Sequence, residues 1–322
     1  MDTENKMDAE NKMDAENKID TENNSFFEEC GISFDTEKNR VEKGKLYLVS
    51  TPIGNLEDMT FRALKVLKGV DFIAAEDTRV TGKLLKCFKL AGSIITYQEH
   101  NKRKAGQTIV RRLKEGESCA LVTDAGTPAI SDPGEDIVRL CIENEIDVVP
   151  VPGACAAVTA LTVSGFSTLE FAFEGFLKGT KNECREKLEA LKNEKRTMIF
   201  YEAPHRLTDT LMLMAEVFGG GRRVCLLREL TKLNEEKIRT TLDDAVKLFS
   251  ERQPRGEFVI VTEGSSGKEA HFWDAMTIPE HVAYYEEKLG LKRMDAMKAA
   301  AKDRGVGKSV IYDAVTEDKA EE

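Results

Sequence analysis

Short apolar runs alternate with longer polar-faced stretches from Gly44 onward. Leu46–Ser50, Asp71–Asp77, Ile94–Gln98, Cys119–Asp124 and Asp147–Pro152 read as strands. Between them, Thr60–Leu67, Thr81–Leu90, Arg103–Lys114 and Glu135–Glu145 read as helices. Strands alternating with helices of about 10–15 residues predict an α/β unit with a parallel, doubly wound sheet over 44–153.

The pattern changes over 154–266. A helix at Ala154–Val163 leads to EFAFEGF (170–176), a Lys/Glu-rich helix at Asn182–Glu194, RTMIFYE (196–202) and a helix at His205–Phe218. RVCLLREL (223–230), KIRTTL (237–242), a helix at Asp243–Arg252 and GEFVIVTEG (256–264) follow. Strands outnumber helices, so a second α/β domain with a mixed sheet is expected. GSSG at 264–267 marks a linker. Residues 275–318 read as three short helices with tight glycine turns, which suits either a helix-turn-helix-like module or a helical extension packed on the body. At the other end, residues 1–24 repeat a polar hexad (MDTENK, MDAENK, MDAENK, IDTENN) whose period fits no helix. With the linker beyond it, where Phe26 and Phe27 are the apolar exceptions, this makes 1–43 a disordered acidic tail.

Charge sharpens this division. The net charge of −10 resides in the ends: residues 1–43 carry 6 basic and 13 acidic groups, and residues 317–322 carry 1 basic and 4 acidic. The body is about neutral and contains two basic clusters, at 98–114 and 292–308, each with six Lys/Arg. Each is read either as a solvated helix face or as a nucleic-acid contact. No run reaches the ~18 apolar residues of a membrane span, and the first residues lack the apolar stretch of a secretory signal. Seven scattered cysteines without a C-x-x-C predict reduced, cytoplasmic thiols, and four well-separated histidines argue against a metal site.

Two motifs fail on inspection. GVGKS at 305–309 has Lys302 where a P-loop needs its first glycine, and it follows a helix rather than a strand. GGGRR at 219–223 lies between helix and strand, the reverse of the dinucleotide-binding order, so a nicotinamide enzyme is disfavoured. The loops at the carboxyl ends of the first five strands are more informative: Ser50–Asn55, Glu76–Arg79, Gln98–Asn101, Asp124–Gly134 and Pro150–Ala154. In an open α/β sheet these ends share one edge, and their Gly and Pro residues leave backbone groups free to face a ligand. Together they predict a ligand crevice.

STPIGNLEDMTFRAL, AAEDTR, TDAGTPAISDPG, VPGACAAVTAL, FEGFL, FYEAPHR and RGEFVIVTEG, in this order over roughly 44–265, resemble the ribosomal RNA small subunit methyltransferase I family, a branch of the tetrapyrrole-methylase superfamily. The C-terminal helices resemble that family's small appended domain, and 1–43 lies outside the resemblance. The resemblance implies a homodimer of two-domain subunits with S-adenosylmethionine bound in the cleft between domains. It also implies methyl transfer to the ribose 2′-oxygen of a decoding-region cytidine (cytidine 1402) of 16S rRNA in the small ribosomal subunit. Thr51-Pro52-Ile53-Gly54-Asn55 departs from the GxGPGD-like first loop of tetrapyrrole branches, which speaks against a porphyrin. A tetrapyrrole or other small-molecule methyltransferase remains the alternative.

The resemblance places the cofactor against Pro52, Gly54, Asp124, Gly126, Thr127, Pro128, Ile130, Ser131, Ala154 and Ala157, with Phe176, Leu177, Ala203, Pro204 and Glu257 closing from the second domain. Asp124 has a turn-forming role as its alternative. A 2′-hydroxyl needs a base. Candidates are Glu76, Asp77, Asp124, Glu202 and His205, with Asp77 first because it ends a strand beside Arg79. The other reading of Asp77 is as the cap of the next helix, and of His205 as a structural residue. Tyr201 and Phe200 are both candidates to stack on the ligand, and alternation along RTMIFYE makes at least one of them ordinary core. Arg62, Arg79 and Arg206, with Lys102, Arg103, Lys104, Lys292 and Arg293 of the basic clusters, are the expected RNA phosphate contacts.

Overall fold

The computed structural model describes residues 40–267, 273 and 276–321. The hexad repeat and the linker with Phe26 and Phe27 lie outside the described residues. Strands β1 (Leu46–Val49), β2 (Phe72–Ala75), β3 (Ile94–Thr96), β4 (Cys119–Val122) and β5 (Val148–Val151) form a parallel sheet in the order β3-β2-β4-β1-β5. Helices α1 (Phe61–Gly69), α2 (Thr78–Cys87), α3 (Lys102–Lys114) and α4 (Glu135–Glu143) connect them.

Side chains alternate across a strand. Tyr47, Val49, Ile73, Ala75, Ala120 and Val122 therefore share one face with Leu64, Leu67 and Leu85 of α1 and α2. Leu46, Phe72, Ala74, Cys119 and Leu121 share the other with Ile109, Leu113, Ile137 and Cys141 of α3 and α4. Both faces are covered, which is why the strands read as continuous apolar runs. The chain leaves β1 toward β2 and leaves the adjacent β4 toward β5, in opposite directions, and so opens a crevice outside their carboxyl ends.

The second sheet is mixed. Strands β6 (Phe171–Phe176), β7 (Thr197–Glu202), β8 (Arg223–Arg228), β9 (Glu236–Thr241) and β10 (Phe258–Thr262) take the order β6-β7-β10-β8-β9, with β6 parallel to β7 and the other pairs antiparallel. Helix α5 (Ala156–Ser164) covers Ile199, Cys225, Leu227, Val259 and Val261 on one face. Helices α6 (Lys181–Leu191), α7 (Leu207–Phe218) and α8 (Leu242–Glu251) cover Met198, Phe200, Leu226, Phe258 and Ile260 on the other. Helix α5 thus belongs to the second sheet.

Several element ends differ from the sequence reading. Strand β4 stops at Val122, because Gly126 turns back to exchange backbone hydrogen bonds with Thr51 (2.9 and 3.0 Å). The helix expected from His205 opens as a 3-10 turn, Pro204–Arg206, before α7 begins at Leu207. Helix α5 starts at Ala156 rather than Ala154.

Contacts divide the chain into two compact units that part at Gly264/Ser265, with both sheets in the first. The second unit contains α9 (Ile278–Leu289), α10 (Arg293–Arg304) and α11 (Lys308–Glu321) around its own core of Val282, Ala296, Met297, Ala300, Ala301, Ile311 and Val315. Helix α9 opens with a Thr277/Glu280 capping box, and left-handed Gly290 and Gly305 end α9 and α10.

Candidate active site

The first wall of the site is three strand-end loops fastened by short polar side chains. Ser50 Oγ lies 3.0 Å from Thr127 Oγ1, which donates to the Ala154 carbonyl at 3.0 Å. That proton is committed, so Ser50 is the donor between the two hydroxyls. Thr51 Oγ1 donates to Thr123 O at 3.2 Å. Glycine permits the close approach of these loops: a Cβ on Gly153 would lie 2.8 Å from the Ser50 Cβ. The loop after β4 carries two non-glycine left-handed residues, Ala129 (φ 68°) and Ser131 (φ 67°), a conformation that costs about 1–3 kcal/mol each and persists where surrounding structure imposes it.

The second wall comes from the mixed sheet. Tyr201 Oη accepts from the Ala157 N–H at 3.0 Å, and its ring meets Phe173 and Phe176 edge-on at 5.0 and 5.6 Å. After β8, Glu229 (φ 51°) and Thr231 (φ 65°) form a second left-handed pair, and Lys232 Nζ ties this loop to Glu229 (3.0 Å) and Glu257 (2.8 Å). The walls enclose a cleft of about 400 Å³, within the ~300–1,000 Å³ of small-molecule sites. Its apolar lining includes Ile53, Ile130, Phe176, Leu227, Leu230, Phe258 and Val259.

The polar end of the cleft follows from strand register. Ala75 pairs with Val122, so the next residues, Glu76 and Thr123, sit side by side, and Asp77 neighbours Asp124. Thr123 Oγ1 donates to Glu76 Oε2 at 2.8 Å, and the Asp77 N–H donates to Asp124 Oδ1 at 3.1 Å. Asp132 enters from the loop before α4. Burial, with the charges of Glu76 and Asp124 adding to it, pushes its carboxyl up to about 6. Burial and the Glu76 charge also hold Asp124 above the usual range. Asp77 goes the other way: hydrogen bonds from the Arg79 guanidinium and N–H hold it down to about 2.

The sequence-predicted residues distribute unevenly around this geometry. Asp124, Gly126, Thr127, Ile130, Ser131, Phe176, Ala203, Pro204 and Glu257 line the cleft, as does Glu76. Pro52, Gly54, Pro128, Ala154, Ala157 and Leu177 do not. Gly54 instead faces Lys232 and Thr231, Ala157 packs under the second sheet, and Leu177 is core. Ala154 acts through its carbonyl on Thr127. Asp77 caps α2, accepting from Arg79 N at 2.8 Å, so the capping alternative is the one observed. His205 is exposed in the 3-10 turn, outside the lining. Glu202 reaches the cleft, but its oxygens are committed to Thr210 Oγ1 (2.6 Å) and Ala203 N (2.9 Å). Tyr201 lines the cleft and Phe200 is core, as β-strand alternation requires.

The basic residues divide between exposed and paired positions. Arg62, Arg103, Lys104, Lys292 and Arg293 are exposed; Arg79 is paired with Asp77, and Lys102 bridges Glu99 and Asp136 at 2.6 Å each. Arg206 lies 3.9 Å from Glu202. The sequence reading placed Ile53 and Asp132 within crevice loops without giving either a role, and it missed Leu227 and Leu230, whose local pattern is that of ordinary core. Among the described residues no group of His, Cys, Asp and Glu is arranged to hold a metal ion.

Residues 45–246 match the family model of the tetrapyrrole (corrin/porphyrin) methylases. The fold recurs in uroporphyrin-III C-methyltransferase from Thermus thermophilus, solved with S-adenosyl homocysteine (TM-score 0.51, 15% identity, 68% of this chain and 97% of that chain). It recurs also in cobalt precorrin-4 methyltransferase (TM-score 0.51, 20% identity, 68% and 95%). Fold and cleft together define a methylase of this class. Closer in sequence are proteins named ribosomal RNA small subunit methyltransferase I: that of Bacillus subtilis is 50% identical over 277 residues (85% of this chain, 94% of the relative), and that of Escherichia coli O157:H7 is 43% identical over 273 (84% and 94%). The chain belongs to the ribosomal RNA small subunit methyltransferase I family.

Proposed function

We propose that this protein uses S-adenosylmethionine to methylate the ribose 2′-oxygen of a decoding-region cytidine (cytidine 1402) of 16S rRNA, acting on the small ribosomal subunit as a cytoplasmic homodimer. The observation that carries the reading is half-identity to a protein named as a small-subunit rRNA methyltransferase, extending over 94% of that relative and including the loops that build the cleft.

The residues present fit the cofactor. Ile53, Leu227, Leu230, Phe258 and Val259 offer an apolar surface suited to adenine. The turns from Asp124 to Ser131 present backbone groups, and Asp124, Glu76 and Asp132 place negative charge where a cationic ligand gains most. When bound, S-adenosylmethionine supplies a methyl group on a sulfonium, a carbon already activated for in-line displacement. The chain's own residues align the acceptor and exclude water, for which about 7–11 kcal/mol of barrier reduction is available. The exposed Arg62, Arg103 and Lys104, with Lys292 and Arg293, would add a salt-dependent grip on phosphates. Among the described residues no helix is long and apolar enough to cross a membrane.

The test is methyl transfer to small subunits purified from cells lacking this methylase, read by mass spectrometry of RNA fragments. One methyl gained on the ribose of a single decoding-region cytidine is the expected result. Cofactor binding without transfer to RNA would overturn the substrate and turn attention to tetrapyrrole and other small-molecule acceptors.

A further inference from the structure

We infer that Asp132 takes the proton from the attacking 2′-hydroxyl, and that Thr123 and Glu76 position it for that task. The inference rests on the ribose-methylation reading above. Both oxygens of Asp77 are occupied by Arg79, at 2.6–3.2 Å. Those of Glu202 are occupied by Thr210 and the Ala203 N–H. Asp124 is exposed and receives the Asp77 N–H. Asp132 lines the cleft, is half-buried, and among the described residues is paired with no cation; its side-chain hydrogen-bond partner is Thr123.

Thr123 stands between two of the carboxylates: its buried hydroxyl donates to Glu76 Oε2 at 2.8 Å and is also the hydrogen-bond partner of Asp132, where it favours the ionised form. Burial and the charges of Glu76 at the end of β2 and Asp124 at the end of β4 outweigh that contact, so Asp132 gains proton affinity while Thr123 holds its orientation.

The step balances. The O2′–H bond breaks with its proton passing to an Asp132 oxygen, and the electron pair left on O2′ forms the new bond to the methyl carbon. The carbon–sulfur bond breaks with its electrons retained by sulfur, which becomes a neutral thioether. Asp132 changes from carboxylate to acid and returns the proton to solvent after product leaves.

The experiment compares the full-length wild type, Asp132→Asn and Glu76→Gln on small subunits across pH, with S-adenosylmethionine affinity measured by calorimetry. For the wild type, kcat/KM should rise about tenfold per unit below about pH 6 and level off above it, since the base must be ionised. Asp132→Asn should lose ~10²–10⁴-fold and the acid limb when assayed at S-adenosylmethionine concentrations that its own measured affinity shows to be saturating. Glu76→Gln removes a neighbouring negative charge and should move the limb to lower pH, a change that a purely structural role would not produce. Carbon-13 NMR of the cofactor-free protein, labelled at Asp carboxyls, should show a titration near pH 6 that is absent from Asp132→Asn. Wild-type rate and limb in Asp132→Asn would overturn the inference while leaving the substrate reading intact. Methyl transfer by the wild type to a base atom instead of ribose would overturn both. Should Asp132→Asn fail to fold, an unmoved limb in Glu76→Gln overturns the inference.

Discussion

Replacing Gly54 with alanine is expected to push apart two loops that meet across the cleft. A Cβ there would stand 2.4 Å from Lys232 Cγ, 3.0 Å from Thr231 Oγ1 and 3.2 Å from the Leu230 carbonyl. Carbon–carbon contact is comfortable at about 3.5–4.0 Å, so the Lys232 stem must retreat by over ~1 Å. It does not retreat freely, because its ammonium is held by Glu229 and Glu257 at 3.0 and 2.8 Å. Overpacking of this kind costs about 1–3 kcal/mol. Ile53, Leu230 and Glu257 line the cleft, so the displacement moves both walls. If the whole cost falls on binding, S-adenosylmethionine affinity drops by about 5–150-fold. If it falls on the fold, Tm drops by about 2–4 °C per kcal/mol. Calorimetry and thermal melting together measure the sum. Gly82→Ala is the control: its Cβ meets nothing within 4 Å in α2, and the change should stabilise by about 0.5–1 kcal/mol. A Gly54→Ala protein with wild-type affinity and a Tm within about 1 °C of wild type would refute the reasoning.

Other changes test neighbouring features. At Asp71, burial favours the neutral acid, but hydrogen bonds from Lys43 (2.5 Å) and from Ser118 Oγ and N–H (2.6 and 2.7 Å) prevail and hold the carboxyl at about 2. A depressed folded-state value means that its stabilisation is complete above the ordinary ~3.9 and is lost as pH falls toward about 2. Asp71→Asn should therefore lower stability by ~1–3 kcal/mol at neutral pH in urea titrations, with a smaller difference from wild type in acid. Thr127→Val removes the link between Ser50 and the Ala154 carbonyl; a stability loss of about 1–2 kcal/mol and weaker cofactor binding should appear together, and unchanged binding would show that the three loops hold their shape without it. Asp77→Asn should reduce methyl transfer by less than about tenfold and keep the wild-type acid limb; a hundredfold loss would return the role of base to Asp77.

The contrast between Asp77 and Asp132 shows how far the sequence could be read. Asp77 stands out locally because it ends a strand beside an arginine, and the same adjacency lets Arg79 neutralise it and its own helix use it as a cap. Asp132 looks like part of a Pro/Gly turn, and its environment is made by Glu76, Thr123 and Asp124 from two other loops. Leu227 and Leu230 likewise carry no local mark of a ligand wall. Alternation along β7 required that Phe200 and Tyr201 face opposite ways, but only packing settled which one faces the cleft.

By itself the sequence determined the elements, their alternation, the mixed character of the second sheet, the small helical module and the edge on which the ligand loops gather. These follow from short-range physics: apolar periodicity, capping residues, and the backbone limits of glycine and proline. The tertiary structure alone decided what those loops do to one another. The order β3-β2-β4-β1-β5 sets Glu76 beside Thr123 and brings Gly126 back to Thr51, and the strap after β8 reaches Gly54 from the second sheet. Such pairings join residues far apart in the chain, and no local period encodes them. The proton affinity of a carboxylate depends on burial and neighbouring charge, so it emerges only once those partners have met.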